Sequence, residues 1–186
     1  ATTSDLEPQR DQLRRELIEL GHTVVPRQPL PLVASELVAA VQSCLQGADI
    51  AIHFVGEHFG LVPEATESSV VALQNQVAAR FCDNSSLKRL IWIPRGLQAR
   101  DERQSAFIRQ LQADPRTVTG AELIADTLEN LKALLRSRWD REQADRWAKR
   151  NLLAVRSVLW RNGVFLDGEE VGGTKARRAT LTVSNG

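Results

Sequence analysis

Three groups of residues in this 186-residue chain are of types and spacings that could do chemistry. The first is Glu64 and Glu67 with Ser68 and Ser69, just ahead of an apolar periodic run. A carboxylate there could stabilise a developing positive charge. The same residues also suit a helix start, through its dipole and its cap. The second group is Gly56-Glu-His-Phe-Gly60. Its glycines let backbone approach a ligand, or serve only as turn residues. Phe59 could stack on a ring or pack, and His58 stands in the loop with no obvious partner. The third is Arg27 in Arg27-Gln-Pro-Leu-Pro31, able to pair with a pyrophosphate or to stay solvated. His53 lies inside an apolar run and reads as a core histidine rather than a catalyst. Cys44 and Cys82 fall in helix-like stretches and read as free thiols of a reducing, cytoplasmic compartment. Two cysteines and three histidines without ligand spacing give no expectation of a metal site.

Several chemistries lack their motif. There is no Gly-x-Gly-x-x-Gly turn for a dinucleotide pyrophosphate and no Gly-Lys-Ser/Thr for a nucleotide triphosphate. No nucleophile elbow supports a serine hydrolase. A phospho-receiver would want clustered acids at the ends of its first and third strands, and neither end supplies them in the linear reading.

The elements that must position these residues follow from periodicity. Ser4 and Glu7 have capping-box spacing, and Pro8 suits a first helical turn. Leu13, Leu17, Ile18 and Leu20 recur at helical spacing up to Gly21. His22–Val25 reads as a short strand, ended by prolines 26, 29 and 31. Helices are expected over about 33–46, 67–81, 100–113 and 121–135. Ile50–Val55 and Leu87–Ile93 are continuous apolar runs, as in strands buried on both faces. Thr117-Val118 could add a short strand. This alternation predicts an α/β fold: a flavodoxin-like, doubly wound parallel sheet, with ligands at the loops starting at Pro26, Gly56 and Pro94. The pattern opens on a helix, and Ala1–Thr3 is too short for the central strand that should precede it. That strand is expected from an earlier part of the chain, or from Gly163–Leu166 or Thr180–Val183 of this chain or a neighbour. The lack of methionine points to a processed or trimmed start.

Charge divides the chain. Residues 1–135 hold 13 basic and 17 acidic groups, and residues 136–161 hold eight and three. The first part is therefore not a nucleic-acid binder by charge. The second reads as a basic amphipathic helix, its apolar positions packing on the domain or a partner, with nucleic acid the weaker alternative. Asn162-Gly163 ends it, and a glycine-rich tail follows. The expected organisation is a domain at 1–138, a basic helix at 139–161 and a hairpin or loose tail at 162–186. No apolar run approaches the ~18 residues of a membrane span, and no leader is evident.

Thr2-Thr-Ser-Asp-Leu6, Gly21-His-Thr-Val-Val-Pro26 and Ala48-Asp-Ile-Ala-Ile-His-Phe-Val-Gly-Glu-His-Phe-Gly60 together resemble bacterial TIR-like (Toll/interleukin-1 receptor homology) domains. Pro63-Glu64, Ser69-Val-Val-Ala-Leu-Gln-Asn-Gln-Val-Ala78, Arg89-Leu-Ile-Trp-Ile-Pro94 and Gly120-Ala-Glu-Leu123 extend the resemblance over residues 1–138. It implies a flavodoxin-like fold that starts on a central strand. It implies either cleavage of NAD+ at the nicotinamide–ribose bond by an assembled effector in bacterial immunity or signalling, or a non-catalytic assembly module. Self-association through domain contacts goes with both. In the enzymes of that family a glutamate contacts the ribose and steadies the positive charge of the transition state. The family pattern places it at Gln76, or in another register at Gln74, and glutamine lacks the charge. A natural pseudoenzyme, an introduced Glu→Gln change, and substitution by Glu67 or Glu64 all fit. Ser4, Arg27, Gly56 and Phe59 would face the dinucleotide, which is the substrate; no prosthetic group is implied.

Overall fold

The computed structural model describes residues 2–83, 85–113 and 121–161, with side chains to residue 150. The chain opens on a 3-10 turn, Ser4–Leu6, that runs into α1, Glu7–Glu19. It continues through α2 (Ala34–Leu45), β1 (Ile50–Phe54), α3 (Val70–Cys82), β2 (Lys88–Pro94), α4 (Glu102–Ala113), β3 (Ala121–Asp126) and α5 (Leu128–Arg161). The strands form one parallel sheet in the order β1-β2-β3, so the fold is α/β, in an arrangement compatible with a flavodoxin-like one. Two compact units divide the chain, residues 1–133 and 134–186.

The sheet lies in the first unit. β2 is its middle strand, with Arg89 to Ile93 all buried, which is why its sequence is apolar without alternation. Ile91 and Ile93 join Val55, Phe59, Val71, Ala72, Phe107 and Leu111 in one core that binds α3 and α4 to the sheet. Burying a Leu111 or Ile91 side chain completely contributes about 1.5–3 kcal/mol each. A second core, built from Leu37, Val41 and Leu45 with Val77, Ala78 and Leu87, packs α2 on α3. On β2's other side Trp92 meets Phe54 edge to face at 5.0 Å and donates its indole N–H to the Asp126 carbonyl. Lys132 of α5 pairs with Glu16 of α1 at 2.5 Å.

The strand expected ahead of α1 leaves one trace. Thr2 bridges Phe54 in parallel along the outer edge of β1. The bridge carries the chain past the end of β1, so that Thr3 and Asp5 land beside the loop after it.

Three local expectations are corrected. Ser4 and Glu7 make no capping box: the N-cap positions Thr3 and Leu6 carry no side-chain cap, and the 3-10 turn fills the place. His22–Val25 forms no strand. His22 gives its N–H to the Leu17 carbonyl as α1 ends over Gly21, at φ +85°, and Val25 is 45% exposed. Residues 121–135 are not one helix. Ala121–Asp126 pairs with β2 as β3, and α5 starts only at Leu128.

α5 runs without interruption through position 138, and within its described side chains Trp147 is 71% exposed. Thr117-Val118, Gly163–Leu166, Thr180–Val183 and the 162–186 tail lie outside the described residues. Among the described residues no helix is long and apolar enough to cross a membrane.

Candidate functional site

A polar cluster forms at the carboxyl end of β1, where the loops of a parallel sheet gather ligands. Three pieces of chain meet there: the turn carrying Thr3 and Asp5, the loop Gly56–Phe59, and the first turn of α4. Gly56 donates its N–H to Thr3 Oγ1 at 2.9 Å, and Glu57 donates to Asp5 Oδ2 at 2.8 Å. Gly56 is required by this approach. A Cβ at that position would stand 2.0 Å from Asp5 Oδ2 and 2.4 Å from Thr3 Oγ1.

From the other side Gln104 donates Nε2 to the Gly56 carbonyl at 2.6 Å, and Arg100 donates its backbone N–H to the Glu57 carbonyl at 2.9 Å. The Arg100 guanidinium also pairs with the Glu57 carboxylate at 2.9 Å. Asp101 caps α4 by accepting the Gln104 N–H at 2.9 Å.

These anchors set His58 between two acids. Its Nδ1 lies 3.5 Å from Asp5 Oδ1 and its Nε2 lies 3.9 Å from Glu57 Oε1. Both are ion-pair separations, longer than a hydrogen bond. The imidazole side chain is 41% exposed, while that of Asp5 is 12% exposed. Burial alone would raise the Asp5 carboxyl. Hydrogen bonds from the Thr3 hydroxyl and the Glu57 N–H, with the charge of His58, outweigh it and hold the carboxyl below its ordinary value. Asp5 is thus ionised and lies at ion-pair distance from the partly exposed imidazole, although no hydrogen bond joins Asp5 Oδ1 to His58 Nδ1 among the described residues. Asp5, Glu57 and His58 each offer one ligand atom, all within 4.8 Å of one another, so the trio could also hold a cation.

The residues expected from the sequence are mostly elsewhere. Gly56 belongs to the cluster. Phe59 is packed in the core rather than offered to a ligand, with the Arg103 guanidinium 4.7 Å over its ring. Ser4, Arg27, Glu64, Glu67 and Gln76 are exposed. Glu64 is engaged through its backbone, which exchanges hydrogen bonds with Leu32 and Ala34. Gln76 points outward on α3, whereas Gln74 is buried with Oε1 unpartnered among the described residues. Ser69 is the α3 cap, accepting the Ala72 N–H at 3.2 Å. His53 is a core residue, 3% exposed, and Cys82 gives its thiol proton to the Leu87 carbonyl at 3.2 Å. Sequence reasoning missed Asp5 and Glu57 as the acids beside His58, and Thr3 as the acceptor of the Gly56 N–H. Thr3 and Asp5 stand some fifty positions before this loop, and the Thr2–Phe54 bridge and their own hydrogen bonds bring them to it.

Comparison with known proteins returns a short likeness. Over 38 residues the chain is 50% identical to a protein of Solibacter usitatus (strain Ellin6076) described as "Probable chemoreceptor glutamine deamidase CheD". The match takes in 20% of this chain and 22% of that relative, so the chain spans about a fifth of its length. No family model and no solved structure matches. This finding overturns the functional expectation. The named relative is described as a probable chemoreceptor glutamine deamidase, not as an NAD+-cleaving or assembly domain of bacterial immunity, and the expected catalytic position, Gln76, is an uncharged side chain facing solvent.

Proposed function

We propose that this chain is a side-chain amide hydrolase working on glutamines of chemoreceptors. The observation that carries the reading is the 50% identity over 38 residues to the chemoreceptor glutamine deamidase, which supplies the substrate class. The cluster at the end of β1 supports the reaction type. Deamidation replaces the amide nitrogen of a carboxamide by a water oxygen and releases ammonia. In this account His58 takes the proton from water, water attacks the carboxamide carbon, and the imidazolium returns the proton to the departing nitrogen. Asp5 stabilises the imidazolium, and Arg100 holds Glu57 at the edge of the site. Free Cys44 and Cys82 suit a cytoplasmic location. Cys82 is not the nucleophile: burial pushes its thiol above the ordinary value, and its proton is committed to Leu87.

The TIR-like resemblance of residues 1–138 is retained as a proposal about fold alone, supported by the parallel sheet and the Thr2 bridge. NAD+ as a ligand and self-association belong to the resemblance only and are not part of this reading.

The test is incubation of the full chain with a glutamine-bearing fragment of a chemoreceptor, read by ammonia release and by peptide mass. Conversion of specific glutamines to glutamates is expected. Fragments that stay unchanged at high enzyme concentration would overturn the proposal.

A further inference from the structure

We propose that Gln104 is the positioning residue of the β1-end site, fixing the Gly56–Phe59 loop and through it the relation of His58 to Asp5. As an assignment of role it rests on the amide-hydrolase reading, but the geometry it describes stands apart from that reading.

Gln104 is the one fully buried polar side chain of α4, at 0% exposure. Two hydrogen bonds fix it at both ends. Its backbone N–H is held by Asp101 at 2.9 Å, and its Nε2 reaches the Gly56 carbonyl at 2.6 Å. Its Oε1 is buried and unpartnered among the described residues, so the bond to Gly56 is what retains a polar side chain there. Gly56 is also the residue whose N–H is taken by Thr3, and its successor Glu57 donates to Asp5. One peptide is therefore gripped on its carbonyl side by α4 and on its N–H side by the chain start. Arg100 adds a bond to the next carbonyl, and Arg103 covers the Phe59 ring. Only glycine fits at position 56 with both grips in place, because a Cβ there would collide with the Asp5 carboxylate. A site held on both sides in this way is pre-organised: a displacement of about 1 Å is worth up to a hundred-fold in rate.

The discriminating variant is Gln104→Met, which keeps length and packing but has no donor. Gln104→Leu is the second, should methionine perturb folding. Two readouts are compared with the unmodified chain. The first is amide exchange at Gly56 and Glu57, with Leu90–Ile93 as the internal control. The second is the split of kcat from KM on the receptor fragment. The expected result is about ten-fold or greater loss of protection at Glu57 with β2 protection unchanged, and a fall in kcat of about ten- to a hundred-fold at constant KM. Unchanged Glu57 exchange would overturn the positioning role. If Glu57 exchange rises while the unmodified chain shows no deamidation, the positioning role holds and the amide-hydrolase reading fails instead.

Discussion

Asp5 and His53 are opposite answers to burial. Burial is the first cause acting on both. For His53 nothing offsets it, and the neighbouring Arg89 charge adds to it, so the ring stays neutral well below 6.5. The unfolded chain takes up that proton while the folded chain refuses it, so stability contributed by a neutral His53 is lost as pH falls below about 6.5. For Asp5 the hydrogen bonds win, and its folded value lies below 3.8. Its contribution is present above that pH and is lost as pH falls through the depressed value. Urea midpoints measured against pH are expected to decline in two stages. His53→Leu removes the stage that starts near pH 6.5 and leaves the acid stage. Asp5→Asn shrinks the acid stage, to which Asp101 and Asp126 also contribute, and leaves the stage near pH 6.5. Gly56→Ala has a steric cost instead: its methyl overlaps Asp5 and Thr3, and a loss of about 1–3 kcal/mol is expected on denaturation. Deamidation by that variant should fall further than its stability loss explains, since the methyl occupies the place of the Asp5 carboxylate.

Elements differ in what they owe to their own residues. α3 carries its own start signal, Ser69, and Ser69→Ala is expected to cost about 1 kcal/mol in thermal or chemical unfolding. β2 owes its place to burial on both faces, so Leu90→Ala, at a site with 0% exposure, is expected to cost about 2–5 kcal/mol. This difference explains how far the fold was legible. Continuous apolar runs announced β1 and β2, and helical spacing announced α1 to α4. The α/β class follows from their alternation. β3 was misread because Ala-Glu-Leu-Ile-Ala has no period that separates strand from helix; pairing with β2 decides it. His22–Val25 has strand-forming residues but is diverted by the end of α1 and by the proline loop. The site was legible only at Gly56 and, as a residue without a partner, at His58. Asp5 looked like one more acid near a helix start, and no local pattern says that a single bridge at Thr2 sets it against a loop some fifty residues on.

At the scale of the whole molecule, net charge of +1 conceals an acidic sheet unit and a basic helix, but the reaction proposed here is placed in the sheet unit alone. Chemistry by an imidazole and its carboxylate also differs from chemistry by a thiol, and the chain offers both residue types. The decisive measurement is peptide mass after incubation of a glutamine-bearing receptor fragment with three proteins: the unmodified chain, His58→Ala, and the Cys44→Ser/Cys82→Ser double variant. The account predicts deamidation by the first and third, and a loss of roughly 10²–10⁴-fold in His58→Ala. Deamidation that survives loss of His58, or vanishes with the two cysteines, would contradict it.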